Sequence, residues 1–183
     1  MTYFINLLSI MLIALLGAGC SLNQNTDATW QDAAQDPLIQ TNYHAADALA
    51  IQAGAQLSTS QPLIMATLVS IDKLDRSSTL GRLISEHIST RFTQLHYVMT
   101  EVKLRNQLYL KQEQGELMLT RELKDIASTH NAQAVIVGTY AVSQQFVFVN
   151  LKIIQPINNK ILSSFDYNLP LDDNIRSLLP SKR

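Results

Sequence analysis

One thiol, four imidazoles, a short pair of carboxylates and scattered hydroxyls are what this chain offers for chemistry. The thiol is the best placed of them. Cys20 is the single cysteine, and it sits in Gly17-Ala18-Gly19-Cys20-Ser21, directly behind the apolar run Tyr3 to Ala18. An apolar run closed by small residues has the form of an export signal and its cleavage site. A pliable small-residue segment fits a peptidase, and a thiol just after it can be alkylated by a diacylglycerol before cleavage. The expectation is lipidation at Cys20, with the mature chain beginning there.

An uncleaved membrane anchor and an ordinary signal are the alternatives. As a helix, Tyr3 to Ala18 reaches about 24 Å, short of the roughly 30 Å hydrocarbon core, so length favours a signal. Two features depart from the usual lipoprotein pattern. No Lys or Arg precedes the apolar run, and Gly17 stands where a leucine is usual, with Leu16 one position earlier.

The remaining groups do not assemble into a site. His44, His87, His96 and His130 have no metal-ligand spacing and no HExxH. His87 and His130 fall on or beside helical apolar faces, where a hydrogen-bonded structural role is expected. Asp72 and Asp75 form a DxxD in a polar loop, read as solvated. Phosphate-cradling glycine loops and a GxSxG elbow are both absent from the sequence, and Ser163-Ser164 belongs to an alternating strand. The chain is therefore expected to be no enzyme, with no metal, no cofactor and no small-molecule substrate.

Composition points the same way. The formal net charge of the chain is −1, and nucleic-acid binding needs a clustered cationic surface. Lys103, Arg105 and Lys111 form the densest basic group, but Glu101 and Glu113 flank it. With one cysteine no internal disulfide is possible, so stability must come from a packed core, which an apolar content of 46% can supply.

Behind the signal (1–19), residues 20–35 are polar apart from Trp30 and read as a flexible tether. Trp30 is left open between docking on the domain and lying at the lipid interface. The folded domain is expected over 36–171. Asp36-Pro37 predicts a helix start, an N-cap followed by proline at the first helical position, with the helix running to about Leu57. Leu63 to Ile71 is a near-continuous apolar strand, expected to be buried on both faces. Ser77 and Ser78 cap a helix whose stripe is Leu80, Leu83, Ile84, Ile88, Phe92 and Leu95.

Tyr97 to Val102 reads as a second strand, paired in parallel with the first through a right-handed crossover. Lys103 to Gln114 is read as a short helix at most. Thr120 to His130 predicts another helix, with Leu123, Ile126, Ala127 and His130 on one stripe and closure near Asn131. Ala134 to Val142 is the third strand, and Gly138 within it marks a bulge or the close approach of a helix. Phe146 to Ile154 sets Val147, Val149, Leu151 and Ile153 on one face. An Asn158-Asn159 turn leads to a last strand with Ile161, Ser163, Phe165, Tyr167 and Leu169 on one face. Residues 172–183 read as a loosely held tail. The fold class is α/β of an α+β-like kind: a mixed β-sheet with helices packed on it, in the order α-β-α-β-α-β-β-β.

Laid out this way, Ser77–Glu86, Gly115–Leu123, Ala134–Ala141 and Leu162–Tyr167 resemble the FlgO family of flagellar outer-membrane lipoproteins. The resemblance runs from about Leu63 to Leu169. It implies a non-enzymatic lipoprotein of Gram-negative bacteria, needed for flagellar assembly or stability and hence motility. It also implies a module similar to the amino-terminal domain of TolB and to lipoprotein activators of cell-wall synthases. The partners implied are the outer membrane, through the lipid, and envelope or flagellar proteins. An envelope binding or regulatory lipoprotein, such as a peptidoglycan-synthase activator or an export-assembly component, is the alternative. Ser21 after the cysteine agrees with an outer-membrane destination and a domain facing the periplasm. Of the motif residues, Gly81 is expected to allow helix–sheet contact, Tyr140 to pack in the core, and Arg82 either to pair with Glu86 or to face a partner.

Overall fold

The computed structural model describes residues 29–74, 76–100 and 124–180. The chain divides into two units, Met1–Gln35 and Asp36–Arg183. In the first, the described residues form helix α1, Trp30–Gln35. Its start is a capping box: the Thr29 hydroxyl accepts from Asp32 N, and the Asp32 carboxylate accepts from Thr29 N at 2.8 Å. Those hydrogen bonds hold the Asp32 carboxyl below its ordinary pKa. The end of the expected flexible tether is thus helical, because Thr29 and Asp32 carry a local start signal that overall polarity masks. Trp30 is solvent-exposed.

The second unit opens with α2, Pro37–Ala53. Asp36 caps it as the sequence predicts, its side chain accepting from Leu38 N at 2.8 Å, and Pro37 takes the first helical position. A 3₁₀ turn, Gly54–Gln56, follows. Next come β1 (Leu63–Met65), β2 (Val69–Ser70), α3 (Thr79–Gln94) and β3 (Met99–Thr100). Residues 124–129 are helical. Then β4 (Ala134–Val142), β5 (Phe146–Gln155), β6 (Lys160–Pro170) and α4 (Asp173–Ser177) complete the described chain.

The sheet has the order β3-β1-β4-β5-β6, with β2 also pairing with β4. Strands β3, β1, β2 and β4 are parallel to their neighbours, while β4, β5 and β6 form an antiparallel meander. Helices α2 and α3 pack on one face, over a core that includes Leu49, Leu63, Ile84, Ile88, Phe92, Ile136 and Leu151. On the other face, Ala127 meets Ile64 and Val135. The expected mixed sheet with packed helices is what the chain forms.

Several boundaries differ from expectation, each for a physical reason. The strand expected over Leu63 to Ile71 breaks in two. Between the pairs Met65↔Ile136 and Val69↔Thr139, the first strand advances one residue more than β4. The backbone groups released at the break go to serines. Leu68 N donates to Ser85 Oγ at 2.9 Å, and Leu68 O accepts from Ser77 Oγ at 2.7 Å. The extra residue sends Leu68 into the core, toward Gly138. A Cβ at Gly138 would lie 2.8 Å from Leu68 Cγ and 2.7 Å from Leu151 Cδ2. Gly138 therefore marks a close approach by side chains, and the β4–β5 register runs through it without a bulge.

In β6 the irregularity lies between Ile153 and Ile154 on the partner strand: Ile153 pairs with Ser163, but Ile154 with Ile161. Leu162 becomes the extra residue and is buried, while Ile161 turns outward at 51% exposure. The expected alternation holds from Ser163 to Leu169 and changes phase at the bulge. The tail is not loose either. Asp172 caps α4 by accepting from Ile175 N, Leu171 and Ile175 are buried, and Leu80 N donates to Leu178 O at 2.9 Å. Of the strand expected over Tyr97 to Val102, Met99 and Thr100 are strand, while Glu101 and Val102 fall outside the described residues. So do Lys103 to Gln114, the helix start at Thr120 and the Gly115–Leu123 motif.

Two helix ends close with left-handed, non-glycine caps. His96 (φ 66°) follows α3, with Tyr97 N donating to Phe92 O and His96 N to Thr93 O. The Tyr97 ring lies 5.3 Å from that of Phe92. This is a Schellman closure with its apolar contact. Asn131 (φ 49°) repeats the pattern, with Ala132 N donating to Ala127 O and Asn131 N to Ser128 O.

Candidate functional site

Cys20, the lipidation candidate, lies outside the described residues. Asp75 does too, so the Asp72/Asp75 pair is not described as a unit; Asp72 is exposed. Among the described residues, no group of three or more His, Cys, Asp or Glu side chains could hold a metal ion. The histidines scatter. His96 is exposed at its cap, and His130 is exposed in the turn behind residues 124–129 instead of lying on an apolar face. The left-handed Asn131 ends the helix there, which carries His130 off the stripe. His44 is exposed and sets its ring edge-on to Phe165 at 5.6 Å.

His87 is the one half-buried histidine, the other three being exposed. Asn42, fully buried on α2, donates from Nδ2 to His87 Nδ1 at 2.9 Å and accepts from the Tyr167 hydroxyl at 2.6 Å. The chain joins α2, α3 and β6 and satisfies the buried amide on both sides. Burial lowers the His87 pKa, opposed by the charges of Asp36 and Glu86, and burial raises that of the Tyr167 phenol. The neutral imidazole, with Nδ1 as acceptor, is the form that this geometry requires. The helices share a second link: Arg91 of α3 grips Asp47 of α2 through Nε (2.7 Å) and Nη2 (3.0 Å), with its guanidinium over the Tyr43 ring. Hydrogen bonding to Asp47 raises the Arg91 pKa further.

The motif residues separate into two roles. Ser78 caps α3 by accepting from Gly81 N at 3.0 Å. A Cβ on Gly81 would stand 2.5 Å from Leu68 O and 3.2 Å from Tyr140 Cε1, so the helix touches the β1–β2 connection there. Tyr140 is buried at 3% exposure. Gly81, Gly138 and Tyr140 are thus brought together around Leu68 as a packing device, as expected for Gly81 and Tyr140. Arg82 is exposed, and its Nη2 donates to Thr79 Oγ1 at 3.2 Å. The expected pair with Glu86 does not form. The one salt bridge among the described residues is Arg91–Asp47.

Sequence reasoning missed an open depression on the face of the sheet away from α2 and α3. Ile71, Thr139, Ala141, Phe148, Asn150, Asp166 and Asn168 contribute to it, around a volume of about 380 Å³. A usable signal was the outward row Phe146, Phe148 and Asn150, since large aromatics on the solvent side of a strand have no core to fill.

Among the described residues, no helix is long and apolar enough to cross a membrane. The architecture is similar to that of the LpoB C-terminal domain from Salmonella enterica, with a TM-score of 0.51 at 11% identity, covering 69% of this chain and 93% of that one. It is also similar to Escherichia coli LpoB solved by NMR, with a TM-score of 0.51 at 12% identity, covering 69% of this chain and 66% of that one. At such identity the likeness shows a shared fold. Comparison with curated proteins gave no significant match. The FlgO protein family profile matches residues 43–174, most of the chain and nearly all of the domain just described. The chain belongs to the FlgO family, which supports its reading as an envelope lipoprotein.

Proposed function

We propose that this chain is a non-enzymatic lipoprotein of the outer membrane that supports flagellar assembly or stability, and through it motility. The family match over residues 43–174 carries this reading. Cys20 bears the lipid, and the domain from Asp36 onward faces the periplasm and binds envelope or flagellar proteins. Two or more acyl chains at about 0.8 kcal/mol per buried CH₂ make a stable anchor, where one chain is marginal. Arg82, exposed near the start of α3, is available to a partner.

Deletion is expected to impair swimming; a deletion strain with normal flagella and motility overturns the flagellar role. Cys20→Ser is expected to release the domain from the membrane or stall its maturation. Undiminished fractionation with the outer membrane would remove the lipid anchor. Arg82→Glu is expected to lower motility while leaving folding intact, and unchanged motility takes Arg82 out of the interface. The fold shared with the LpoB domain keeps a second reading, an envelope binding or regulatory module such as a peptidoglycan-synthase activator or an export-assembly component. That reading predicts weakened cell-wall growth on deletion, with swimming intact.

A further inference from the structure

The depression on the outer face is ordered by strand register into two adjacent rows. Thr139 pairs with Asn150, and Asn150 with Asp166. Two residues along the strands, Ala141 pairs with Phe148, and Phe148 with Asn168. Ile71 joins the second row beyond the end of β2. The first row is polar and ends in a carboxylate; the second is mainly apolar. Phe148 is 52% exposed and Ile71 56%, and the Phe146 ring stands 6.5 Å from that of Phe148. Asp166 is the only charged residue among the described residues of the lining. Asn150 Nδ2 donates to its Oδ1 at 2.6 Å, which orients the carboxylate, and its second oxygen has no hydrogen-bond partner among the described residues. Lys152 lies on the same face one row farther, on the side of Asp166 away from Phe148, opposite Ser164.

We infer that this depression docks a protein partner through an arginine or lysine side chain, its aliphatic stem on the Phe148–Ala141–Ile71 row and its cationic head on Asp166. The inference deepens the proposed function and rests on the reading of the domain as a binder of envelope proteins. The rows are two residues apart along the strands, about 7 Å, which is the reach of such a stem. Long basic side chains lay their methylenes on apolar surface and keep the charged end at a polar partner. A nearby aromatic face adds attraction for the cation. A wholly apolar partner would bury the Asp166 carboxylate without a counter-charge, and an acidic one would meet it with like charge.

The test uses the full chain in its own cells, with photo-reactive benzoyl-phenylalanine in place of Phe148 and, as a control, of the exposed Thr93 on α3. Irradiation from Phe148 is expected to give an adduct with a second protein, mapped by mass spectrometry to a segment that carries Arg or Lys beside the linked residue. Asp166→Asn, which keeps the shape and an oxygen for Asn150, is expected to lower the yield about five-fold, and Asp166→Lys to lower it further. Insensitivity to Asp166→Asn overturns the inference. So does an adduct confined to residues 101–123 of the same chain, to a second copy or to cell-wall glycan, and so does a yield no higher than at Thr93. The two readings fail separately. Normal swimming in a deletion strain with an Asp166-dependent adduct ends the flagellar role alone, while impaired swimming without the adduct ends this inference alone.

Discussion

Gly81→Ala sets local propensity against tertiary contact. Gly81 is the third helical residue of α3, and on propensity alone alanine there would add up to about 1 kcal/mol of stability. The new methyl carbon, however, would stand 2.5 Å from Leu68 O and 2.9 Å from Ser77 Oγ. The carbonyl cannot swing away cheaply, because Leu68 is held on both sides, by Ser77 Oγ at its oxygen and by Ser85 Oγ at its nitrogen. Relief requires the start of α3 to lift from the β1–β2 connection. Overpacking of this kind costs about 1–3 kcal/mol, and loosening the two serine bonds costs about 1 kcal/mol each. Set against the propensity gain, the expected net loss is about 3 kcal/mol. For a domain of this size that lowers Tm by roughly 6–12 °C. Urea titration and thermal melting of the purified protein, followed by far-UV circular dichroism, measure it. Equal or higher stability of Gly81→Ala would show that the contact yields, and would refute the account of this glycine as a packing device.

Three further outcomes follow from particular residues. His96 holds a left-handed backbone (φ 66°) at the α3 cap, so His96→Gly is expected to raise stability by about 0.5–1 kcal/mol in urea titration. Ser163 Oγ is buried without a hydrogen-bond partner among the described residues; Ser163→Ala is expected to be neutral or stabilising by about 1 kcal/mol, and a loss would mean that the hydroxyl has a partner in solution. Burial lowers the His87 pKa below the ordinary value of 6.5, so its contribution is fully present above that value and is lost as pH falls through the lower folded-state one. Between neutral pH and pH 5, the wild-type protein should therefore lose more stability than His87→Gln, and parallel pH profiles would refute the assignment.

Much of the secondary structure was readable because its signals are local. Asp36-Pro37 and Ser78 start helices through groups two or three residues away, and β4 matches the expected Ala134 to Val142. The alternation of Val147, Val149, Leu151 and Ile153 identified the inward face of β5 from period alone. The family motifs could be seen, but not what they do: nothing near Gly81 in sequence announces Leu68 O as its neighbour. The depression was invisible for the same reason, since Asp166 and Thr139 become neighbours only through β5.

The amino-acid sequence by itself determined the starts of α2 and α3, the span of β4 and the inward face of β5. Each is a property of a few consecutive residues or of a short period. Tertiary structure decided the break at Leu68, the phase change at Leu162, the docking of α4 and the Asn42–His87–Tyr167 chain. The last of these joins residues 45 and 125 positions apart. Such features depend on which backbone groups and side chains find partners across the sheet, and a buried polar group takes whatever partner the packed fold presents.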